Sequence, residues 1–344
     1  MTPQSLQKIC LVPKLAGLGG TASFQSRLAS ELTTRGYVIT YDLEDPEAQI
    51  VLVVGGTRSL RLLAKARARG ALIVQRLGGI NWVHRRRYTG IRHYLRSEIN
   101  NHLLATIRYR LADRIVYQSR FVQEWWQERR GESGKPSFII HNGVDLSAYT
   151  PRGTGAIPRD FYRLMLVEGR LGGGYHMGLE NAVELTRQLR EWHALPVELR
   201  VVGEVPDDLK SRVTKAASIP IEWYGVVRRD AIPELDRSAH VLFSADLNAA
   251  CPNAVIEALS CGLPVVAFNT GALEELVPPE AGRLSAYGGD VWKLEKPDVT
   301  GLANASVDVF KKNASYRREA RKYAMAHFSL AHMVDRYCET WESI

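Results

Sequence analysis

SADLNAACPNAVIEALSCGLPVVAFNTGALEEL, from Ser244 to Leu276, carries its own punctuation. Pro252-Asn253-Ala254 opens a helical run, AVIEALSCG, which Gly262 and then Pro264 bring to a stop. The apolar run HVLFSA stands ahead of it and PVVAFN follows, so strand, helix and strand alternate. The amides of Asn253 and Ala254 then point out of a helix N-terminus, which suits a pyrophosphate. Glu257 lies one turn further in, where it can accept hydrogen bonds from ribose hydroxyls or simply complement the helix dipole. Its spacing from Asn253 favours the ligand role.

The same alternation extends in both directions. Upstream, LMLVEG, VELRVVG and IPIEWYG read as strands, separated by helical patterns such as GLENAVELTRQLREW. The first half repeats the rhythm with KICLVP, YVITYD, QIVLVVG, ALIVQRL, DRIVYQS and PSFIIHNG. These runs are apolar throughout and rich in β-branched residues, as in parallel sheets covered on both faces. Between the halves, HNGVDLSAYTPRGTGAIPRDF crowds Pro151, Gly153, Gly155 and Pro158 together and reads as a linker. The expected architecture is α/β, with two doubly wound domains in tandem and a helical tail after about Pro297. Open sheets bind ligands beyond the carboxyl ends of their strands, so two facing sheets imply a cleft.

Two glycine loops occupy such ends. In KLAGLGGTASFQSRLASEL, Gly17, Gly19 and Gly20 lie between a strand and a helix. They can admit a phosphate to the helix N-terminus or merely let helix and strand pack closely. In VEGRLGGGYHMGLENAVEL, Arg170 leaves a strand and Gly172, Gly173 and Gly174 follow. An Arg there can fork onto a diphosphate, or it can face solvent beside a plain turn.

Composition bounds the partners. The 344 residues suggest two cores, and 45% hydrophobic with 24% charged residues suits a soluble globular chain. No apolar run is long enough to span a bilayer and no secretory signal is apparent. Cys10, Cys251, Cys261 and Cys338 lack metal-ligand spacing and fit a reducing cytoplasm. The net charge of +8 is uneven: Arg58 to Arg130 holds 17 Lys/Arg against Glu98, Asp113, Glu124 and Glu128. The densest patch, WVHRRRYTGIRHYLR, includes Arg85, Arg86 and Arg87. It can meet a phosphorylated acceptor, anionic lipid headgroups or nucleic acid, or be a solvated face. No nucleic-acid motif or aromatic platform accompanies it, so nucleic acid is not expected.

Taken together, the loops resemble the retaining glycosyltransferases of family 4, which have two facing Rossmann-like domains (the GT-B architecture). IIHNGVDLSAYTP is similar to the interdomain segment of that family. LRVVGEV, IEWYGVVRRDAIPELDRSAHVLFSA and CPNAVIEALSCGLPVVAFNTGALEELV are similar to its donor half. The resemblance implies an acceptor-side domain over residues 1–148, a donor domain over 149–325 and a tail, 326–344, packing back on the first domain. It implies transfer of a sugar from a nucleoside diphosphate donor, expected to be a UDP-sugar, to a saccharide, lipid-linked or other small acceptor. No metal or other cofactor is expected. It also implies roles: Arg170 on the diphosphate, Glu257 on the ribose, Val227 against the base, and Gly19 and Gly20 over the phosphates.

The pattern departs from the family at three places. The first acid of its Glu–seven residues–Glu motif falls on Ala249. The Lys expected after Arg170 is missing, with Tyr175, His176 or Met177 near its place, and Gly78 stands where some relatives carry an acid. Ala and Gly can neither take a proton nor balance developing positive charge. The alternative reading is therefore a nucleotide-sugar-binding subunit that has lost its chemistry. His84, Arg76 and His176 are the candidate compensating groups, with neutral His84 able in principle to accept an acceptor proton.

Overall fold

The computed structural model describes residues 7–17, 19–171 and 176–342. Its contacts divide the chain into two compact units. One comprises the chain up to Arg85, Thr89–Gly143 and everything from Leu330 on; the other comprises Arg86–Tyr88 and Val144–Ser329.

In the first unit the six apolar runs all become strands: β1 (Lys8–Val12), β2 (Val38–Thr40), β3 (Ala48–Val54), β4 (Leu72–Leu77), β5 (Arg114–Tyr117) and β6 (Ser137–Ile139). Every pairing is parallel, in the order β2-β1-β3-β4-β5-β6. Helices α1 (Gly20–Thr34), α2 (Leu60–Ala68), α3 (Ile91–Thr106) and α4 (Arg120–Arg130) make the crossovers. A parallel pair cannot be joined by a tight turn, so these helices link four of the strand pairs, while residues 41–47 carry the chain from β2 past β1 to β3 without a helix.

The second unit repeats the layering with a different order. It runs β7 (Tyr162–Arg170), α5 (Met177–Glu191), β8 (Val197–Glu204), α6 (Asp207–Ala216), β9 (Ile221–Gly225), α7 (Ile232–Arg237), β10 (Val241–Ser244), α8 (Asn253–Ser260), β11 (Val265–Phe268), α9 (Leu273–Leu276) and β12 (Gly282–Ser285). Helices α10 (Val299–Lys311) and α11 (Asn313–His327) complete it. The strand order is β12-β11-β10-β7-β8-β9. Counted from β7, this is the dinucleotide-binding order, whose reversal point lies between its first and fourth strands. Here that crevice falls between the tips of β7 and β10.

The last helix, α12 (Leu330–Glu342), returns to the first unit. Val334, Tyr337 and Trp341 bury fully or nearly so in the core formed by Ile9, Phe24, Leu28, Leu52 and Val116. Arg35 pairs with Asp335 and donates to the Ala331 carbonyl at 2.9 Å, fixing the register of α12 on α1.

The segment read as a linker is held firmly within the second unit. Arg321 of α11 donates to the carbonyls of Leu146 (3.1 Å), Tyr149 (2.7 Å) and Ser260 (2.7 Å). Arg237 donates to the Thr150 carbonyl at 3.1 Å, and a Cβ on Gly155 would lie 2.4 Å from the Glu234 carbonyl. Gly153 and Gly155 of this junction permit close approach to α7.

Candidate functional site

At the reversal point of the second sheet, β7 ends in Glu168-Gly169-Arg170. Arg170 is exposed and makes one loose ion pair, 3.7 Å from Glu204 at the end of β8. Such a contact, open to water, is weak and readily exchanged for an anion. Gly172, Gly173, Gly174 and Tyr175 lie outside the described residues. His176 is the N-cap of α5 without a side-chain cap bond, and Met177 is the first helical residue.

Across the crevice, Pro252 caps α8 in extended conformation with no side-chain cap bond. Asn253 and Ala254 are half-buried in the first turn, where no acidic residue competes for the N-terminal dipole. Glu257 follows one turn in and is 8% exposed, so one edge of a buried residue reaches the surface. Behind it, Asp236 of α7 is 1% exposed. Burial, and then the negative charge of Glu257, push Asp236 well above the usual carboxylate range. Val227 is half-buried just after β9, beside exposed Val226.

Ala249 is 2% exposed and its carbonyl accepts from the Ala272 amide at 2.9 Å. A Cβ on Gly271 would stand 2.5 Å from the Ala249 nitrogen, so two backbones meet here without room between them. Gly271 has φ +63° and Asn248 φ +54°, two left-handed residues that fold this connection onto itself. Ala249 is thus embedded in a tight turn-on-turn contact.

An acid pair went unnoticed in the sequence. Leu164 and Met165 of β7 pair with Val241 and Leu242 of β10, which brings the following Glu168 and Asp246 to neighbouring strand tips. Burial and then the charge of Asp246 push Glu168 up to about 8. An acid interrupting the apolar run LMLVEG was the available signal; its partner could be found only once β10 was known to lie beside β7.

In the first unit, Gly17 has φ +97°, while a Cβ on Gly17 or Gly19 would meet nothing within 4 Å. Close packing does not require these glycines. Gly19 is the N-cap of α1 in extended conformation, and Gly20 is the first helical residue. The amides at this end are consequently approachable by an anion. Gly78 gives its carbonyl to the Trp126 indole nitrogen at 2.8 Å, and a Cβ on adjacent Gly79 would strike Trp125 at 2.6 Å.

The compensating candidates of the first unit are both engaged. His84 is 5% exposed, its Nε2 lies 2.7 Å from Glu98 Oε1, and Tyr94 stacks edge-on at 5.0 Å. Arg85 forks onto the same carboxylate at 2.6 and 2.7 Å. Arg85 and then His84 hold Glu98 down to about 2. Arg76 is buried, donates to Asn142 Oδ1 at 2.7 Å and stacks 3.7 Å over the Phe24 ring.

Residues 163–311 match the family model described as glycosyl transferases group 1. This part of the chain is similar to a group 1 glycosyltransferase domain. It contains Arg170 at the β7 tip, Asn253, Ala254 and Glu257 at the start of α8, and Val227 after β9, two strands away from β7. Among curated proteins, the chain is similar to a GDP-mannose-dependent alpha-(1-6)-phosphatidylinositol dimannoside mannosyltransferase of Mycobacterium tuberculosis. The two are 30% identical over 177 residues, covering 49% of this chain and 44% of that protein. The match therefore spans less than half the length of that relative. Among solved structures, sucrose-phosphate synthase from Thermosynechococcus elongatus superposes with a TM-score of 0.77 at 16% identity, covering 98% of both chains. Anabaena HepE in complex with UDP and glucose gives 0.72 at 17%, over 98% of this chain and 100% of that one. WaaG, a glycosyltransferase involved in lipopolysaccharide biosynthesis, gives 0.70 at 14% over the same shares. The two units thus have the GT-B fold.

Proposed function

We propose that the protein transfers a hexosyl group from a nucleoside diphosphate sugar, a UDP-sugar, to an acceptor hydroxyl with retention of configuration and without a metal ion. One observation carries the reading. A cation, Arg170, and the uncapped N-terminus of α8 flank the reversal point of the sheet in the part of the chain similar to a group 1 glycosyltransferase domain. Both favour negative charge, and α8 also supplies Glu257 for the ribose. Val227 would lie against the base.

In the reaction, the bond from the anomeric carbon to the diphosphate oxygen breaks as the acceptor oxygen bonds to the same face. The acceptor proton passes to the leaving diphosphate. Arg170 and the amides of Asn253 and Ala254 stabilise the charge that builds on that diphosphate. His84 is left out of this scheme, because accepting a proton through Nε2 would disturb its contact with Glu98.

The curated relative is named for GDP-mannose and HepE is seen with UDP, so the base is the first thing to measure. Calorimetry with UDP and GDP should favour UDP; tighter GDP binding would reverse the donor assignment. Incubation with UDP-sugars, followed by proton NMR of the anomeric signal, should show an α-linked product from an α-linked donor, unaffected by chelator. Ala249, without a carboxylate and sealed against Gly271, favours a second reading: a subunit that binds the donor without chemistry. UDP binding with no turnover or donor hydrolysis across a panel of sugars and acceptors would support it.

A further inference from the structure

Helix α3 has one face in the core and an unusual opposite face. Ser97, Asn101, Leu104 and Ala105 are its buried residues. With about 100° between successive residues, Leu95 and Ile99 project from the far side. Ile91, Leu95 and Ile99, spaced i, i+4, i+8, are 71%, 56% and 51% exposed. Three large aliphatic side chains in a row, each more than half open to water, form a stripe that folding leaves uncovered. Arg92 and Arg96, both exposed, run alongside. From Arg85 to Arg110 the sequence has seven arginines and a single acid, Glu98, which Arg85 and His84 already occupy.

An apolar row beside an uncompensated row of guanidinium groups fits a surface that offers hydrocarbon beneath negative charge. We propose that α3 docks in the plane of an anionic lipid surface, with Ile91, Leu95 and Ile99 entering the acyl boundary and Arg92 and Arg96 meeting headgroup phosphates. A second copy of this chain is a poorer occupant. Two-fold pairing of α3 would bring the arginine rows of both copies together with no acid between them. Three aliphatic side chains make a small anchor, so charge and insertion must act together. The proposal is independent of the donor chemistry, since α3 carries none of the residues assigned to it.

The experiment is flotation of the purified chain with vesicles of phosphatidylcholine, alone or with about one third phosphatidylglycerol. The chain should float with the anionic vesicles, remain behind with neutral ones, and detach as salt rises. The triple variant I91S/L95S/I99S should lose at least tenfold in bound fraction, as should R92E/R96E. Circular dichroism and thermal unfolding like those of the parent confirm that each variant is folded. Leu95→Cys labelled with a polarity-sensitive dye, the four native thiols being buried, should shift to the blue only with anionic vesicles. Failure of the parent to float, flotation undiminished in the triple variant, or an unshifted label would overturn the proposal. So would light scattering that shows a dimer dissolved by I91S/L95S/I99S, which would assign the stripe to self-association.

Discussion

The two sheets have six parallel strands each, yet their reversal points differ in place and in texture. In the first unit the order reverses between β1 and β3, and the glycines after β1 stand in open space. In the second it reverses between β7 and β10; Gly169 at the β7 tip also stands open, but Gly203 of adjacent β8 and Gly178 of α5 are wedged against their neighbours. A Cβ on Gly203 would lie 1.8 Å from the Glu168 carbonyl oxygen, and one on Gly178 2.7 Å from the Ala245 Cβ. One residue type therefore serves approach in the first unit and both approach and compaction in the second. The tip of the second sheet is the one that carries Arg170, α8 and the Glu168–Asp246 pair.

Substitution at glycines should break this comparison most visibly. Gly203→Ala places a methyl inside contact distance at φ +136° and should cost about 3 kcal/mol or more in denaturant unfolding. A stable, fully folded variant would mean that the β7 tip is looser than described. Next in size is Glu257→Ala, expected to weaken UDP binding by about 1–3 kcal/mol, roughly fivefold to over a hundredfold, in calorimetry. Arg170→Ala should weaken UDP but leave uridine nearly unaffected; equal losses would remove its diphosphate role.

One acid in each unit shifts in the opposite direction from the other. Glu168 of the second unit has a raised folded pKa, so its contribution is most favourable below about pH 4.5 and declines as pH rises toward 8. Glu98 of the first unit has a lowered one, so its contribution is present above its unfolded value of about 4.5 and is lost as pH falls toward 2. Glu168→Gln should flatten the decline in unfolding free energy between pH 5 and 8. Glu98→Gln should instead flatten the acid side. The smallest effect belongs to Gly19→Ala, whose methyl meets nothing and should change stability by less than about 0.5 kcal/mol. If Gly19 serves a phosphate, the same variant should still weaken donor binding.

Most strands were legible because each is a short apolar run bounded by turn residues. β12 escaped, since GRLS is brief and half polar and gains its strand character from pairing with β11. Strand order was illegible in both units: which strand lies beside β7 depends on a crossover that leaves no local pattern. That is why Glu168 and Asp246 were not connected, whereas Arg170, Asn253 and Glu257 could be named from their own loop and helix. The 142–158 segment was legible as a junction, and the boundary at Gly143/Val144 falls within it, but its close packing on α7 and α11 was not, because glycine and proline mark tight contact as readily as a turn. His84 looked available until Glu98, one helix away, was found on its nitrogen.

The placement of α12 has a consequence for how the chain is made. Val334, Tyr337 and Trp341 fill the core of the first unit, but they follow the whole of the second unit in sequence. During synthesis, β1 to β6 emerge first and must wait, with one side of α1 and the sheet uncovered, until nearly two hundred further residues have been added. The second unit, contiguous but for three residues, has no such wait. The half of the protein that begins first at the ribosome is the half that finishes last, and its exposed apolar face is where a nascent chain of this kind would need a chaperone.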